Sequence, residues 1–190
     1  MAISTSWIHG NALTVENPTY VLDGNELGRL ILTHYGWGTQ VSTEGHPVPF
    51  CWFHLPLPTI FPPLSKTEAL KLNRVFLLFR SVEASIKEID IYDNNTKIQE
   101  FNDLGLQGDY LTIGAQNTFN VSAGTEVNLP YHVKGGIGLS FQLVSSIGID
   151  PPAGTQPEIM VAGAGAEFET YSAFASTKRG GSTAKPRPPR

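Results

Sequence analysis

Residues 135–144, GGIGLSFQLV, form the stretch that decides the fold. Apolar side chains occupy every second position from Ile137 to Leu143, and small or polar residues such as Ser140 and Gln142 lie between them. Successive side chains of a strand point to opposite faces, so this alternation predicts a β-strand with one buried face.

Outward from this strand, similar patterns recur at short intervals, and patterns with helical spacing are nearly absent. Further strands are predicted at residues 6–15, 30–39, 50–55, 73–82, 85–93, 97–101, 117–123 and 158–171. Residues 65–71 (SKTEALK) match a capping box and predict at most one short helix. We therefore predict an all-β fold of about eight to ten strands, either a single antiparallel, jelly-roll-like β-sandwich or a flattened barrel.

Two local features refine this prediction. Asp93, Asn94 and Asn95 separate two strand patterns, and Asn and Asp tolerate the backbone conformations of tight turns, which predicts a hairpin. Gly163 and Gly165 remove two side chains from one face of the last predicted strand. That would permit the close approach of a strand, an aromatic ring or a ligand.

Length and charge indicate one domain with a tail. The chain has 190 residues and a net charge of −4. Five of its 13 basic residues lie in residues 178–190 (KRGGSTAKPRPPR), and all 17 acidic residues precede that segment. We predict a β-sandwich domain over residues 1–177 and a disordered, basic, Pro/Gly-rich tail over 178–190.

The composition also narrows the compartment and the partners. An acidic body is unsuited to nucleic acid. No apolar run is long enough for a membrane span, and the first residues lack a signal-peptide pattern, so a cytoplasmic location is expected.

Motifs for covalent chemistry and cofactors are missing. The one cysteine, Cys51, is expected to be a small buried hydrophobe that faces away from Trp52 and His54. No G-x-S-x-G motif is present, and the glycine-rich stretches 134–140 and 162–168 do not match a phosphate-binding loop. We predict no cofactor and assign no catalytic residue.

Acidic residues at 88–93 do not form a calcium motif. Glu88, Asp90 and Asp93 lack the spacing and the glycine of an EF-hand loop. Glu88 and Asp90 alternate with Ile89 and Ile91, which predicts a solvent-exposed strand face. No metal site is predicted here.

Two W-x-H motifs, Trp7/His9 and Trp52/His54, raise the question of a binding site, and Tyr35 and Trp37 have the same spacing. Residues two apart share a face of a strand, so each tryptophan is expected beside its histidine. If the strands were neighbours, one wall would carry large flat rings and polar tips, as needed to stack a sugar or another flat ligand. A packed structural wall fits the same pattern. The candidate ligand-binding residues are Trp7, His9, Tyr35, Trp37, Trp52 and His54.

Several stretches together resemble a family of small, uncharacterised bacterial β-proteins. They are WIHG (7–10), GWGT (36–39), WFHLPLPT (52–59), IKEIDIYDNNTKI (86–98), LGLQGD (104–109), GGIGLSFQL (135–143) and AGAEF (164–168). The resemblance covers about residues 7–170. The chain departs from it by a longer insert at 61–73, by extra length at 148–156 and by Asp-Asn-Asn in place of Asp-Gly in the hairpin. The resemblance implies an architecture and transfers no catalytic residue.

Three classes of function stay open from the sequence. The first is a non-catalytic binding module that recognises a small molecule (sugar, aromatic or lipid-like) or a protein partner through the aromatic wall. The second is a cofactor-independent cyclase, isomerase or lyase that uses His9 or His54 as the proton carrier in a barrel cavity. The third is a structural or self-associating β-protein, which would form a homo-oligomer. Whether the protein is an enzyme is left open.

Overall fold

The computed structural model describes residues 2–22, 25–45, 50–59, 68–122, 131–146 and 156–172. Within these ranges the strands are β1 (Ala2–His9), β2 (Thr14–Val15), β3 (Thr19–Leu22), β4 (Asn25–Tyr35), β5 (Gly38–Gly45), β6 (Phe50–Leu57), β7 (Glu68–Val82), β8 (Ala84–Asp93), β9 (Thr96–Phe101), β10 (Asp109–Tyr110), β11 (Thr118–Asn120), β12 (Tyr131–His132), β13 (Ile137–Ser145) and β14 (Glu158–Ser172). Two short 3₁₀ turns span Gly10–Ala12 and Ala115–Asn117.

These strands form two antiparallel sheets that share one apolar core, so the chain is a β-sandwich and not a closed barrel. In the described ranges, the large sheet has nine strands and the small sheet has five, in the order β2-β6-β13-β8-β9. The strand count exceeds the predicted eight to ten because two predicted strands, residues 6–15 and 30–39, are each divided by a turn. The short strands β3, β10 and β12 also lie outside the predicted segments.

The stretch that decided the fold is the central strand of the small sheet. β13 pairs with β6 on one side and with β8 on the other. Leu139 and Phe141 are fully buried, and the Phe141 ring stacks on Phe53 with ring centres 5.3 Å apart. The polar residues between them lie on the outer face, as the alternation predicts.

The long strands β7 and β14 organise the large sheet. They pair with each other from Glu68–Ser172 to Val82–Glu158. The other edge of β14 binds β5 and then β1, and the register shifts between Val161 and Gly163 where one strand replaces the other. The other edge of β7 binds three short strands in succession, β12, β11 and β10.

One buried amide fastens two of these short strands to β7. Asn117 is completely buried, and its Nδ2 lies 3.0–3.1 Å from the carbonyl oxygens of Leu77, Tyr110 and Thr112. Its Oδ1 accepts a hydrogen bond from the Gly114 amide at 2.7 Å. The two N–H groups of this amide are shared among three backbone carbonyls, so a single side chain ties β10 and the turn after it to β7.

A second polar anchor holds β12. Asp93 Oδ2 accepts hydrogen bonds from the Tyr131 hydroxyl at 2.9 Å and from the Lys134 amide at 2.7 Å. Burial, followed by this contact with Asp93, raises the pKa of Tyr131 to about 12. The predicted hairpin between β8 and β9 begins at the same place, and Asn94 adopts a positive φ of 54° in its turn.

Three predicted elements differ from the structure. Residues 6–15 are not one strand, because the turn at Gly10 separates β1 from β2. Residues 30–39 fold back at Gly36–Trp37 and belong to β4 and β5. Residues 68–71 of the predicted helix are the start of β7, and residues 65–67 lie outside the described ranges. Pairing with β14 overrides the local helical preference there.

The predicted tail, residues 178–190, lies outside the described ranges, so the domain boundary stays a prediction. No helix in the described part of the chain has the length and hydrophobicity to span a membrane.

Candidate functional site

Trp7 lies on the outer face of the large sheet, where a glycine makes room for it. In the register, Trp7 is opposite Gly165 of β14, which is opposite Phe76 of β7. The indole crosses the glycine and stacks on the Phe76 ring, with centres 5.6 Å apart and planes 19° from parallel. A Cβ on Gly165 would lie 2.7 Å from the indole, so glycine is required at this position. Of the three alternatives that the sequence left open, an aromatic ring approaches Gly165 and the backbone of a strand, at Ile8, approaches Gly163.

Charged groups border this stack on one side. The Arg74 guanidinium lies over the Phe76 ring, 5.5 Å from its centre, and its Nη2 is 2.7 Å from Glu167 Oε2. Phe76 is buried, yet it does not belong to the core between the sheets. Trp7 is 42% exposed. The stack is therefore a surface structure with an apolar centre and an ion pair at its edge.

A second stack lies at the turn between β4 and β5. The rings of Tyr35 and Trp37 are nearly parallel, 9° apart, with centres separated by 4.6 Å. Tyr35 is 40% exposed and Trp37 is 47% exposed. Leu30 and Leu32 face the core, so Tyr35 is on the outer face of the sheet, the same face as Trp7.

His9 joins the two stacks. Its Nδ1 accepts a hydrogen bond from the Asn11 amide at 3.2 Å, which places the ring proton on Nε2. Nε2 then donates to the Gly36 carbonyl, 3.1 Å away, between Tyr35 and Trp37. Asn11 Nδ2 also donates to the Tyr35 carbonyl at 3.0 Å. We call the surface formed by Trp7, His9, Tyr35 and Trp37 the aromatic patch.

Tight packing beneath the turn holds the patch in place. Added Cβ atoms at Gly10 and at Gly38 would both collide with the Val161 carbonyl, and Gly38 has a φ of +151°. The buried Thr39 hydroxyl donates to the Gly10 carbonyl at 2.9 Å. The two turns are thus packed on the irregular part of β14, which makes the patch a preformed surface.

Trp52 and His54 lie elsewhere. They belong to β6 and alternate with the buried Phe53 and Leu55, so they are on the outer face of the small sheet, on the opposite side of the sandwich. The structure therefore brings together four of the six candidate residues and separates two. One wall carrying all six does not exist, because β1 pairs with β14 and not with β6. A ligand-binding role for each of the six stays a prediction.

A row of polar residues runs across the small sheet at His54. Each of the five strands contributes one residue to cross-strand pairs, and we call these residues the polar row: Thr14, His54, Ser140, Asp90 and Glu100. The pairs of such a row share one face of the sheet. No motif in the sequence joins these positions, because their proximity depends on the order of the strands.

A hydrogen bond links His54 to Ser140, and the Glu16 carboxylate, outside the row, lies near the same histidine. His54 Nδ1 is 2.8 Å from the Ser140 hydroxyl, and His54 Nε2 is 3.8 Å from Glu16 Oε2. Ser140 is buried, whereas the His54 and Glu16 side chains are about half exposed. This serine, histidine and carboxylate form one of the hydroxyl–imidazole contacts in the described part of the chain, beside that of Thr39 with His34 at 2.7 Å.

Asp90 is the most deeply buried member of the row, and the prediction that its side chain is exposed is wrong. It faces outward as expected, yet it is only 2% exposed, because side chains on neighbouring positions cover it. Its Oδ2 accepts hydrogen bonds from the Tyr92 hydroxyl at 3.2 Å and from Lys97 Nζ at 2.8 Å. Burial and then the Asp90 charge raise the pKa of Tyr92, and hydrogen bonds to Asp90 and Glu100 raise the pKa of Lys97.

Cys51 is buried and faces the core, away from Trp52 and His54, as predicted. Its Sγ donates to the Asn17 carbonyl at 3.3 Å. Burial raises the pKa of the thiol to about 11, so the thiolate needed for nucleophilic chemistry is disfavoured at neutral pH.

Comparisons with known proteins give one family and one similar solved structure. No curated protein matches it. One solved structure that is similar, a carbohydrate-binding module CBM36 in complex with calcium and xylotriose, has 12% sequence identity and a TM-score of 0.34, with 87% of this chain and 99% of that chain covered. Residues 1–170 match the model of a family of unknown function, DUF6623. The resemblance to an uncharacterised family is thereby confirmed at the level of the family: the chain belongs to DUF6623, a family of unknown function.

Proposed function

We propose that the protein is a non-catalytic binding module that holds a flat ligand, in the first place a sugar ring, on the aromatic patch. The observation that carries the proposal is the exposure of Trp7 and Trp37, 42% and 47%, on one face of a rigid sheet. Large aromatic side chains are normally buried, and a group of exposed rings on one face is typical of a recognition surface.

The polar groups around the rings fit the same ligand. Sugar rings present apolar C–H faces and hydroxyl edges, so a site needs flat rings beside donors and acceptors. The pair Arg74–Glu167 is one row away from Trp7 and Gly165, about 7 Å along the strands. His9 lies on the other side of Trp7 at the same spacing. Donors and acceptors thus flank the indole on both sides.

A titration with soluble oligosaccharides, followed by tryptophan fluorescence, tests the proposal. Binding at the patch should quench or shift the emission, and Trp37→Ala or Trp7→Ala should weaken binding by about tenfold or more, since loss of a central aromatic contact typically costs at least 1.4 kcal/mol. Trp52→Phe is the matched control, because Trp52 lies on the opposite face of the sandwich. Binding that depends on Trp52 and not on Trp7 or Trp37 would contradict the proposal.

The enzyme alternative is supported by one observation, the contact of 2.8 Å between His54 and Ser140. Two features weigh against an enzyme. The sandwich is not a closed barrel, so the barrel cavity that this alternative requires is not formed. Ser140 is buried in the central strand of its sheet, where the surrounding backbone amides pair with β6 and β8 and cannot stabilise an oxyanion. The binding module is therefore the function that the geometry favours.

A further inference from the structure

Three carboxylates lie together at the far end of the polar row, where Glu88 lies beside Asp90 and Glu100 of the row. One oxygen from each of Glu88, Asp90 and Glu100 lies within 4.8 Å of the others, and we call these three residues the carboxylate cluster. Glu88 and Asp90 are two residues apart on β8, and Glu100 is the cross-strand partner of Asp90 on β9. Strand pairing on one face of the sheet thus sets their separation.

The buried member of the cluster has an oxygen without a partner. Among the described residues, no donor reaches Asp90 Oδ1, although the side chain is only 3% exposed. Ser140, the cross-strand partner of Asp90 on β13, has its hydroxyl 2.8 Å from His54 Nδ1. A buried carboxylate oxygen that has lost water and gained no donor costs free energy, so an unfilled position of this kind calls for a ligand.

The charges of the cluster point to a cation. Three carboxylates face one ammonium group, that of Lys97, which is 2.8 Å from Asp90 and 2.9 Å from Glu100. The Glu88 carboxylate makes no hydrogen bond or ion pair with a described residue. Lys97 therefore balances one of the three negative charges, and two remain, the charge that a divalent ion supplies.

We propose that the carboxylate cluster is a binding site for a hard divalent cation, calcium in the first place. Carboxylate oxygens are the ligands that calcium takes, and its flexible coordination completes the shell with water, which reaches the site from the exposed side of Glu100. The ion satisfies Asp90 Oδ1 and shares the cluster with Lys97. This site is on the opposite side of the sandwich from the aromatic patch and is independent of the sugar-binding proposal.

The experiment titrates calcium chloride into the chelator-treated full chain by isothermal titration calorimetry, with thermal unfolding in parallel. We expect one saturable site and a midpoint that rises with calcium, because the ion binds only the folded chain. Sodium chloride at equal ionic strength should not reproduce the rise, since it acts only by screening. Absence of binding up to about 10 mM calcium, above the range of weak protein sites, would overturn the proposal.

Variants then locate the site. Glu88→Gln should weaken calcium binding by about tenfold, since affinity follows the number of charged ligands. Asp109→Asn, an exposed carboxylate on β10, is the matched control and should leave it unchanged. Glu88 is only half-buried and has no ion pair to lose, so its variant should fold even if Asp90→Asn does not. Binding that is indifferent to Glu88→Gln would overturn the proposal.

Lys97→Met separates a cation site from a structural ion-pair cluster. Removal of the ammonium group leaves the third negative charge free, so calcium should bind more tightly than to the unmodified protein. If the variant binds calcium and the unmodified protein does not, Lys97 is the permanent counter-ion of the cluster, and the proposal is wrong.

Discussion

The indole of Trp7 lies directly over Gly165, its partner across the strands, and uses the space where a side chain would be to reach Phe76. A surface tryptophan is thereby fixed in one orientation by the backbone of its neighbour. The shape of the aromatic patch therefore depends on Gly165, a residue that has no side chain to contact a ligand.

Gly165→Ala tests this relationship. The new methyl group would lie within 3 Å of three indole atoms, so Trp7 must leave its stack. We expect a loss of about 1–3 kcal/mol in the free energy of unfolding and a shift of tryptophan emission to longer wavelength. Gly136→Ala is the control, because a Cβ at that position meets no atom within 4 Å. Unchanged emission in Gly165→Ala would show that the stack does not fix the indole.

Asn117→Ala should be among the most destabilising substitutions on the large sheet. It removes the amide that satisfies carbonyls of β7, β10 and the turn after β10, and it leaves buried polar atoms without partners. A loss of about 2–4 kcal/mol is expected in urea unfolding. Gln116→Ala, at the exposed neighbouring position, should change the stability by less than about 0.5 kcal/mol. Equal effects of the two variants would contradict the anchoring role.

The Cys51 thiol makes the free energy of unfolding depend on pH in the alkaline range. Its thiol pKa is raised by burial from 9.0 to about 11, so the unfolded chain loses this proton at lower pH than the folded chain. The contribution is fully present below pH 9 and is lost as the pH rises to about 11. Urea unfolding of the unmodified protein and of Cys51→Ala across pH 7.5–11 should show a steeper decline for the unmodified protein. Parallel curves would indicate that the thiol is accessible to solvent.

Tyr131→Phe should loosen the attachment of β12. The substitution removes the hydroxyl that donates to Asp93 and leaves the acceptor with the Lys134 amide alone. A loss of about 1 kcal/mol is expected, together with faster hydrogen exchange of the β12 amides. Tyr110→Phe is the control, since its ring stacks on Phe79 while its hydroxyl makes no hydrogen bond to a described residue. Faster exchange in both variants would point to a loss of ring packing instead.

The positions of the strands along the chain are largely predictable from the sequence, whereas the pairing of the strands in the sheets is not. Period-two alternation placed residues 135–144 and 85–93 correctly, because one face of each strand is buried. The same rule put Trp52 and His54 on one face, and the structure agrees. The order of the strands decides that this face is opposite Trp7, and pairs such as Trp7–Gly165 join residues more than 150 positions apart. Local periodicity holds no information on such pairs.

The polar row shows the same limit for the site. Ser140, Asp90 and Glu100 appear in the sequence as ordinary outward positions of three separate strands. Only the register of β13, β8 and β9 places them side by side. Burial of Asp90 follows from that register too, which is why alternation alone predicted it to be exposed. The sequence offers only one weak signal for the burial of Asp90, which is that it lies between Ile89 and Ile91.

The pairing of β1 with β14 joins the first and last strands that the structure describes. β7 pairs with the same last strand. During synthesis on the ribosome, the large sheet cannot close until β14 has left the exit tunnel. β4 and β5 can pair with each other early, but β1 and the edges of β5 and β7 that bind β14 must stay unpaired until then. Folding should therefore be slow and largely post-translational, with a need for chaperone protection that a fold of local hairpins would not have.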